Sequence, residues 1–403
     1  MFELLGIINL VDTEIQSQTS IIREIVLPAN IEYVSNPQLH IEDALTIASE
    51  SGTTQHRIEA DRHNFKYSGR VDWENARAPA FGFPGTAVEF KFTGTSLKLE
   101  LSEDNWNSGN YIDVYLDDDP NPKTIELKPG GEQPIVYNIA EGLEDKVHHA
   151  VVVKRNDYIT GEFEFHGIII DGELLPPPSD SKRKIEVYGD SISAAATVEY
   201  QETGGLDPQG NNYHLSNAYY SYGSMLARDY DAELSLVAQS GASLMDGFGF
   251  WHNGTGAEAF YDKLKPLKDS ASWDFQQYTP DLVIIALGQN DSATIRIGRE
   301  VSAESWKNHY KQLITNLRVQ YPDSYFVGMF PNMYHDRAWD NYLTEAFAEY
   351  RAEHNDDRVF SLIHEQVTPG HPRISEQRQM ADTLKEFIDT TLTDNGFHWD
   401  VAN

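Results

Sequence analysis

The sequence predicts an α/β protein: a three-layer α/β/α domain built on a parallel sheet, preceded by an all-β domain. Short segments in which apolar and polar residues alternate follow one another from about residue 63 to residue 175. This pattern is typical of an antiparallel sandwich or jelly roll. Beyond residue 182, buried-strand patterns alternate with helical ones, which indicates a parallel sheet covered by helices on both faces.

In the first domain, Gly, Asp, Asn and Pro separate the alternating segments. The predicted strands are residues 87–92, 96–101, 111–116, 150–154 and 162–165. Pro176-Pro177-Pro178 follows, and three prolines cannot continue a sheet and stiffen the chain. We therefore assign residues 61–176 to the β domain and residues 182–395 to the α/β/α domain.

In the second domain, the apolar runs have the length of buried strands. The predicted strands are residues 185–188, 233–238, 282–287, 325–330 and 359–363. Helical periodicity places Trp306 with Leu313 on one helix face and Trp339 with Phe347 on another. A final helix is expected from about Ser375.

Residues 1–60 form an N-terminal extension in this division. A strand is expected at residues 21–28 and a short helix at residues 41–49. We expect this extension to be an arm that packs on the β domain or joins two copies in a homo-oligomer. An apolar run at residues 4–11 lacks the basic start and cleavage site of a signal peptide, so the chain as given is expected to be soluble, and either cytoplasmic or already processed.

Composition excludes several classes of function. The 31 Lys and Arg residues face 63 Asp and Glu residues, which gives a formal net charge of -32. Such a field repels nucleic acids and anionic lipids, so neither is an expected partner, whereas neutral substrates meet no such barrier. The chain has no cysteine, which excludes thiol catalysis, thiolate metal sites and disulfides.

Gly189-Asp190-Ser191 follows the first predicted strand of the second domain. Ser191 therefore lies at the carboxyl end of a strand in a parallel sheet, which is the edge where ligands and catalytic groups collect. Taken alone, the tripeptide is more typical of a turn that caps a helix.

Three later positions change that interpretation. Gly241 follows the second strand and lets a backbone N–H approach a ligand closely, while Asn290 follows the third strand and offers an amide donor at the same edge. His371 lies between prolines just before the last helix, where it can serve as general base toward Ser191.

The order Gly-Asp-Ser, Gly, Gly-x-Asn-Asp and His-Pro resembles that of the SGNH (GDSL-type) hydrolases. Residues 64–72, 83–85, 92–97 and 184–187 also resemble carbohydrate esterase family 2, in which a jelly-roll domain precedes the SGNH domain. The resemblance covers about residues 63–392. It implies hydrolysis of O-acetyl groups on polysaccharides or oligosaccharides by a serine mechanism without a metal or cofactor.

Carried onto this chain, the resemblance makes Ser191 the nucleophile and His371 the base. The oxyanion hole would consist of the Ser191 and Gly241 backbone N–H groups and the Asn290 side chain. These enzymes commonly have Asp three residues before the histidine, where this chain has Thr368. We therefore expect a Ser–His dyad whose histidine is oriented by a backbone carbonyl, with Asp190 and Glu365 as candidate orienting acids.

Other histidines are weaker candidates. His398 is an alternative base, but it lies outside the His-Pro-helix context. His148-His149 and His335-Asp336 suggest metal ligands, although neither has the spacing of a zinc site.

Trp251 and Trp339 are candidate substrate-binding residues, together with Phe248 and Phe250, because aromatic rings can stack on sugars. Trp339 has the periodicity of a core residue, and core is the preferred interpretation for it.

Two further functions stay open at this point. The first is an esterase that acts on other small acyl esters. The second is a carbohydrate-binding protein whose hydrolase domain has decayed, with Thr368 as the sign of decay.

Overall fold

The chain folds into an all-β domain followed by an α/β/α domain, which confirms the predicted fold class. The computed structural model describes residues 54–103, 109–117, 119–130, 133–294, 297–365 and 367–399, with the backbone of residues 32–33 and 45–48. The strand expected at residues 21–28 lies outside these residues. No helix in the described ranges is both long and apolar enough to cross a membrane.

The strands of the β domain that the structure describes form one hydrogen-bonded sheet of twelve. They are β1 (Glu32–Tyr33), β2 (Leu45–Ala48), β3 (Thr54–Glu59), β4 (Lys66–Ser68), β5 (Val71–Asp72), β6 (Ala80–Phe81), β7 (Ala87–Ser102), β8 (Tyr111–Leu116), β9 (Lys123–Glu126), β10 (Ile135–Lys154), β11 (Phe163–Ile170) and β12 (Leu174–Leu175). Their inward side chains, among them Phe90, Leu99 and Ile168, form one buried core.

Part of the assigned extension belongs to this sheet. β3 pairs with β11, β2 pairs with β3, and β1 pairs with β2, all antiparallel. The short helix expected at residues 41–49 is therefore wrong, since β2 occupies its centre and its backbone bonds to a neighbouring strand instead of to itself. The boundary expected at residue 60 lies at the end of β3, inside the sheet.

The long strands β7 and β10 differ from their predicted lengths. The two strands expected at residues 87–92 and 96–101 are halves of β7, because the Asp171 carboxylate accepts from the N–H groups of Thr95 (2.7 Å) and Ser96 (2.9 Å) and holds the chain through the bend at Gly94. β10 runs over 20 residues, and register shifts along it keep it paired with β7 where strict alternation is lost.

The second domain contains a five-stranded parallel sheet in the order β14-β13-β15-β16-β17. The strands are β13 (Arg183–Gly189), β14 (Ala232–Ala238), β15 (Leu282–Ala286), β16 (Tyr325–Phe330) and β17 (Val359–Ile363). The α-helices are α1 (Tyr222–Asp229), α2 (Gln289–Thr294), α3 (Ala303–Gln320), α4 (Ala338–His354) and α5 (Ile374–Phe387). All five strands predicted for this domain are confirmed.

Helices cover both faces of this sheet. Val283 and Ile285 pack with residues of α3 and α4, whereas Leu282 and Ile284 pack with residues of α1 and α5. Because β13 lies between β14 and β15, the chain changes direction across the sheet beside its carboxyl end. In open parallel sheets such a switch point opens the crevice in which ligands bind.

Candidate active site

Ser191 lies in the tight turn that leaves β13 at this switch point. The Asp190 carboxylate accepts a hydrogen bond from the Ile192 N–H (2.9 Å), and the Asp190 backbone carbonyl accepts one from the Ala194 N–H (2.9 Å). A Cβ atom at Gly189 would lie 2.0 Å from the Ser193 hydroxyl, so the turn requires glycine there. The turn leaves Ser191 9% exposed at the edge of the sheet.

His371 contacts the serine as the sequence predicts. Its Nε2 lies 2.7 Å from the Ser191 Oγ. The Ser191 hydroxyl can donate to this nitrogen when the ring carries its proton on Nδ1. Such a pair can transfer the serine proton to the imidazole as the oxygen attacks.

The carboxylate that orients His371 belongs to Asp207, a residue that the sequence analysis does not identify. Its Oδ2 accepts from the His371 Nδ1 at 2.7 Å, and its Oδ1 accepts from the His371 backbone N–H at 3.0 Å. The expected orientation by a backbone carbonyl is therefore wrong, because a carboxylate occupies that position. The geometry is that of a Ser-His-Asp triad.

Arg373 and Thr197 hold Asp207 in place. The buried Arg373 guanidinium donates to the Asp207 Oδ1 (3.2 Å), to the Thr197 Oγ1 (2.9 Å) and to the His371 carbonyl (2.8 Å). Burial alone would raise the pKa of Asp207, but hydrogen bonds and charge from His371 and a hydrogen bond from Arg373 outweigh it and hold the pKa well below its usual range. Asp207 is therefore a stable anion beside the imidazole.

The two expected acids have other places. Glu365 is exposed, and no hydrogen bond joins it to His371 in the described part of the chain. Asp190 is fully buried, and its Oδ2 accepts from the Asn290 side-chain amide at 3.1 Å. Burial raises the pKa of Asp190 to about 7 against the opposing effects of the Ile192 N–H and the His371 charge. Asp190 thus orients Asn290 and not His371.

Thr368, which stands where the family pattern has Asp, has a structural role. Its hydroxyl donates to the Gly370 carbonyl (2.5 Å) and its N–H donates to the Asn332 carbonyl (2.6 Å). These bonds shape the loop that delivers His371. The acid of the triad comes instead from the loop that follows the serine turn.

The three expected oxyanion donors lie at this edge of the sheet. In the described ranges, the backbone N–H groups of Ser191 and Gly241 donate to no protein acceptor, so both are free to bind a ligand oxygen. The Asn290 Nδ2 donates to the Asp190 Oδ2 (3.1 Å) and to the Ala242 carbonyl (2.9 Å). Gly241 has φ +77, a left-handed conformation that favours glycine.

The two tryptophans expected to bind substrate are buried. Trp251 is 5% exposed and its indole N–H donates to the Pro266 carbonyl (2.7 Å). Trp339 packs on Trp306 in the core beside α3 and α4. Neither offers a ring face to a sugar, so the substrate-binding assignment is wrong for both. Phe250, next to Trp251, is 48% exposed, and its N–H donates to the Gly241 carbonyl (2.7 Å).

The other candidate histidines lie in ion pairs or at the surface. His148 pairs with Asp117 (2.6 Å), and His335 pairs with Asp340 (2.7 Å) and not with Asp336. The described residues contain no group of three His, Asp or Glu side chains that could hold a metal ion. His398 is exposed near the end of the described chain, and the histidine that contacts Ser191 is His371.

Two family models match the chain. The model described as "Carbohydrate esterase 2 N-terminal" matches residues 67–178, and that of the "GDSL-like Lipase/Acylhydrolase family" matches residues 187–386. The first covers most of the β domain, and the second spans the serine turn, the Asn290 segment and the His371 loop.

Curated relatives match both domains. "Cellulase/esterase CelE" of Acetivibrio thermocellus is 28% identical over 347 residues, which cover 83% of this chain and 40% of that protein. An "Acetylxylan esterase / glucomannan deacetylase" of Cellvibrio japonicus is 28% identical over 241 residues, 59% of this chain and 64% of that protein. The match thus spans less than two thirds of either relative's own length.

Two solved structures have a similar fold. A family two carbohydrate esterase from Clostridium thermocellum, in complex with cellohexaose, is 27% identical with a TM-score of 0.73, over 82% of this chain and 99% of that chain. A family two carbohydrate esterase from Cellvibrio japonicus, 23% identical, has the same fold, with a TM-score of 0.72 over 83% of this chain and 98% of that chain. The protein has the two-domain arrangement of carbohydrate esterase family 2, in which a GDSL-type (SGNH) hydrolase domain follows the family's N-terminal β domain.

Proposed function

We propose that this protein is a serine esterase that removes acetyl groups from acetylated carbohydrates through an acyl-enzyme. The observation that carries the proposal is the connected set Ser191 Oγ, His371 Nε2, His371 Nδ1 and Asp207 Oδ2, with both hydrogen bonds at 2.7 Å. Relatives named as acetylxylan esterase and glucomannan deacetylase support the choice of substrate class.

In the first half of the reaction, the Ser191 oxygen attacks the acetyl carbonyl carbon while its proton passes to the His371 Nε2. The Asp207 carboxylate stabilises the imidazolium that forms and holds it in the productive tautomer. The tetrahedral intermediate then collapses, and the His371 proton moves to the sugar oxygen as the carbon–oxygen bond breaks. The products are the free hydroxyl and acetyl-Ser191, which water hydrolyses by the same steps.

The negative oxygen of the intermediate would be bound by three donors. The Ser191 and Gly241 N–H groups need no rearrangement, since neither donates to a protein acceptor in the described ranges. The Asn290 amide would exchange its bond to the Ala242 carbonyl (2.9 Å) for one to the oxyanion and keep its bond to Asp190. Donors held in place before the reaction favour the transition state over the ground state.

A neutral sugar suits the surroundings of this site. The formal net charge of -32 disfavours anionic polymers but leaves acetylated neutral polysaccharides unaffected. The Phe250 ring is half-exposed, and the Phe250 Cβ would lie 3.3 Å from a Cβ added at Gly241. The ring therefore offers an apolar surface beside the oxyanion site. We propose it as a stacking surface for a sugar ring, in place of Trp251.

The observation that suggested a decayed binding protein no longer supports that alternative. It depended on Thr368 as a missing catalytic acid, and Asp207 supplies a carboxylate to His371. An esterase for other small acyl esters would use the same side chains and is an outcome of the test below.

The proposal is tested by acetate release from acetylated xylan, acetylated glucomannan and an aryl acetate. Ser191→Ala and His371→Ala should abolish release, whereas Ser193→Ala, whose buried hydroxyl bonds to Tyr222 (2.7 Å), and the exposed His398→Ala should retain it. Phe250→Ala should raise KM for the polymers but not for the aryl ester. Hydrolysis of the aryl ester alone would favour the small-ester alternative, and release that survives in Ser191→Ala would overturn the proposal.

A further inference from the structure

A short segment of the β domain reaches into the hydrolase domain beside the active site. Residues 154–158 begin at the last residue of β10 and include Lys154, Arg155, Asn156 and Asp157, all of them buried. Their side chains bond within the β domain, as Arg155 does to Asp113 (3.2 Å) and Asn156 to the Tyr111 N–H (2.8 Å), and also to loops of the other domain.

Asp157 bonds to the backbone that presents the oxyanion glycine. Its Oδ2 accepts from the Ser240 N–H at 2.7 Å, and its Oδ1 accepts from the Ile159 N–H at 3.1 Å. Ser240 immediately precedes Gly241, and the Ser240 carbonyl carbon is bonded to the Gly241 nitrogen. The hydrogen bond from Ser240 to Asp157 therefore holds the residue on which the position of the Gly241 N–H depends. A carboxylate acceptor makes a stronger hydrogen bond to an N–H than a neutral acceptor does.

The neighbouring residue reinforces this contact. The Tyr158 N–H donates to the Gln239 Oε1 (3.1 Å), and the Gln239 Nε2 donates to the Ser240 carbonyl (3.3 Å). Both sides of Ser240 are therefore tied, the N–H to Asp157 directly and the carbonyl through Gln239. The carbonyl of Ser240 belongs to the same peptide unit as the Gly241 N–H, so its direction sets the direction of that donor.

The same segment holds the loop that carries the triad acid. Arg155 donates to the His214 carbonyl (2.9 Å) and to the Ser216 carbonyl (3.3 Å), and the Asn156 amide donates to the Tyr213 carbonyl (2.7 Å). These acceptors lie just beyond the loop at residues 201–212 that contains Asp207. This five-residue segment of the β domain therefore bonds both to the backbone beside Gly241 and to the backbone beside the loop that contains Asp207.

We propose that Asp157 is a positioning residue for ester hydrolysis, through which the β domain fixes the direction of the Gly241 N–H toward the oxyanion. The β domain is then a structural part of the active site and not only a neighbouring module. The inference rests on the serine-esterase chemistry proposed above but not on the identity of the sugar.

A contact that only joins two domains differs from a positioning contact in its effect on turnover. Losing a joining contact lowers stability and leaves kcat unchanged. Losing the hold on the Ser240–Gly241 peptide weakens an interaction made in the transition state, so kcat falls while KM for the ground state changes little. Small displacements of positioned groups cost about tenfold to a hundredfold in rate.

The test compares Asp157→Ala and Asp157→Asn with Lys265→Met, in the full chain with an aryl acetate as substrate. Lys265 pairs with Glu162 (2.7 Å) and Asp72 (3.3 Å) across the same two domains, so it is a matched joining contact. We expect kcat to fall about tenfold to a hundredfold in Asp157→Ala with KM within about twofold. Asp157→Asn should be intermediate, since one amide oxygen can still accept from Ser240, and Lys265→Met should lower Tm alone.

A second measurement does not depend on activity. Hydrogen exchange of the peptide that contains Ser240 and Gly241 should become faster in Asp157→Ala and stay unchanged in Lys265→Met. Wild-type kcat in both Asp157 variants, or unchanged exchange in Asp157→Ala, would overturn the inference. An inactive wild type would count against the proposed function, and hydrogen exchange would then decide the inference by itself. If Asp157→Ala does not fold, the isosteric Asp157→Asn variant decides both measurements.

Discussion

Asp207 makes two hydrogen bonds to His371, one to the ring Nδ1 (2.7 Å) and one to the backbone N–H (3.0 Å), although 164 positions separate the two residues in the chain. The first bond sets the tautomer and plane of the imidazole. The second ties the two loops together, so that neither the ring nor its backbone can move away from Ser191 without breaking a bond to a charged acceptor. The carboxylate therefore positions both the ring and the backbone of His371.

Replacement of this acid should cost turnover. We expect Asp207→Asn to lower kcat by about two to four orders of magnitude, because the amide no longer stabilises the imidazolium and favours the wrong tautomer. The exposed Glu365→Gln serves as the matched control and should behave as wild type. Steady-state kinetics on an aryl acetate measure both, and a Glu365 variant as impaired as the Asp207 variant would contradict the assignment.

The contact between Ser191 and His371 is predictable from the sequence because Ser191 follows a buried strand and His371 belongs to a His-Pro pair just before a helix. The role of Asp207 is not predictable from the sequence, because its loop has no periodicity and Gly-Gly-Leu-Asp-Pro is typical of a turn. A weak signal exists in Arg373, an arginine two residues after the base that requires a buried anion. Trp251 misleads because its neighbour Phe250 has the exposed ring, a difference of orientation that an aperiodic loop does not encode.

The fold shows the same division. The five strands of the parallel sheet are predictable because largely apolar runs of strand length indicate burial on both faces. The lengths of β7 and β10 are not, since both strands are irregular: the Asp171 carboxylate, just after β11, holds the bend in β7, and register shifts interrupt the pairing of β10 with β7.

The Asn290 side chain supplies a test of the oxyanion site. Asn290→Ala should lower kcat by about two to three orders of magnitude, since one donor to the oxyanion is lost, while KM changes little. Asp190 would also lose its amide partner (3.1 Å), so thermal unfolding must be measured alongside. A kcat within about threefold of wild type in a folded variant would exclude Asn290 from the oxyanion site.

A buried ion pair joins the two domains below the active site. The Arg70 guanidinium bonds to the Glu186 carboxylate (3.1 Å) in β13, to the Tyr188 hydroxyl (2.8 Å) and to the carbonyls of Tyr261 (2.7 Å) and Lys263 (2.9 Å). Both charged side chains are 0% exposed. The hydrolase domain therefore buries an acid whose cationic partner comes from the β domain.

Arg70→Met should lower the free energy of unfolding by about 3–5 kcal/mol, because it leaves the Glu186 charge buried without its partner. The double variant Arg70→Met/Glu186→Gln should recover part of that loss. Lys385→Met removes an exposed ion pair with Asp389 and should change the free energy of unfolding by less than about 1 kcal/mol. Urea unfolding provides the three values, and a double variant no more stable than Arg70→Met would argue against the charge as the cause.

Asp190 gives a prediction on pH. Burial raises its pKa to about 7 from 3.8, so the folded protein keeps a proton that the unfolded chain releases near pH 4. This site therefore makes the folded state less stable as the pH rises from about 4 to about 7. Asp190→Asn removes that dependence, so its unfolding free energy minus that of wild type should increase across this window and level off above it.

The Asn variant keeps only one acceptor oxygen for the Ile192 N–H and the Asn290 amide, which lowers its stability by a similar amount at every pH. The slope of the difference against pH is therefore the informative quantity. Urea unfolding at several pH values measures it, and a difference that is constant from pH 4 to pH 8 would contradict the raised pKa.

The central claim is that Ser191 is a nucleophile activated by His371 and Asp207. A fluorophosphonate probe tests it most directly, with the rate of adduct formation followed by intact mass and the site located by peptide mapping. We expect one adduct on Ser191 in wild type, none in Ser191→Ala, and formation at least about a hundredfold slower in His371→Ala and Asp207→Asn. An adduct on another residue, or equal labelling rates in wild type and the His371 and Asp207 variants, would contradict it.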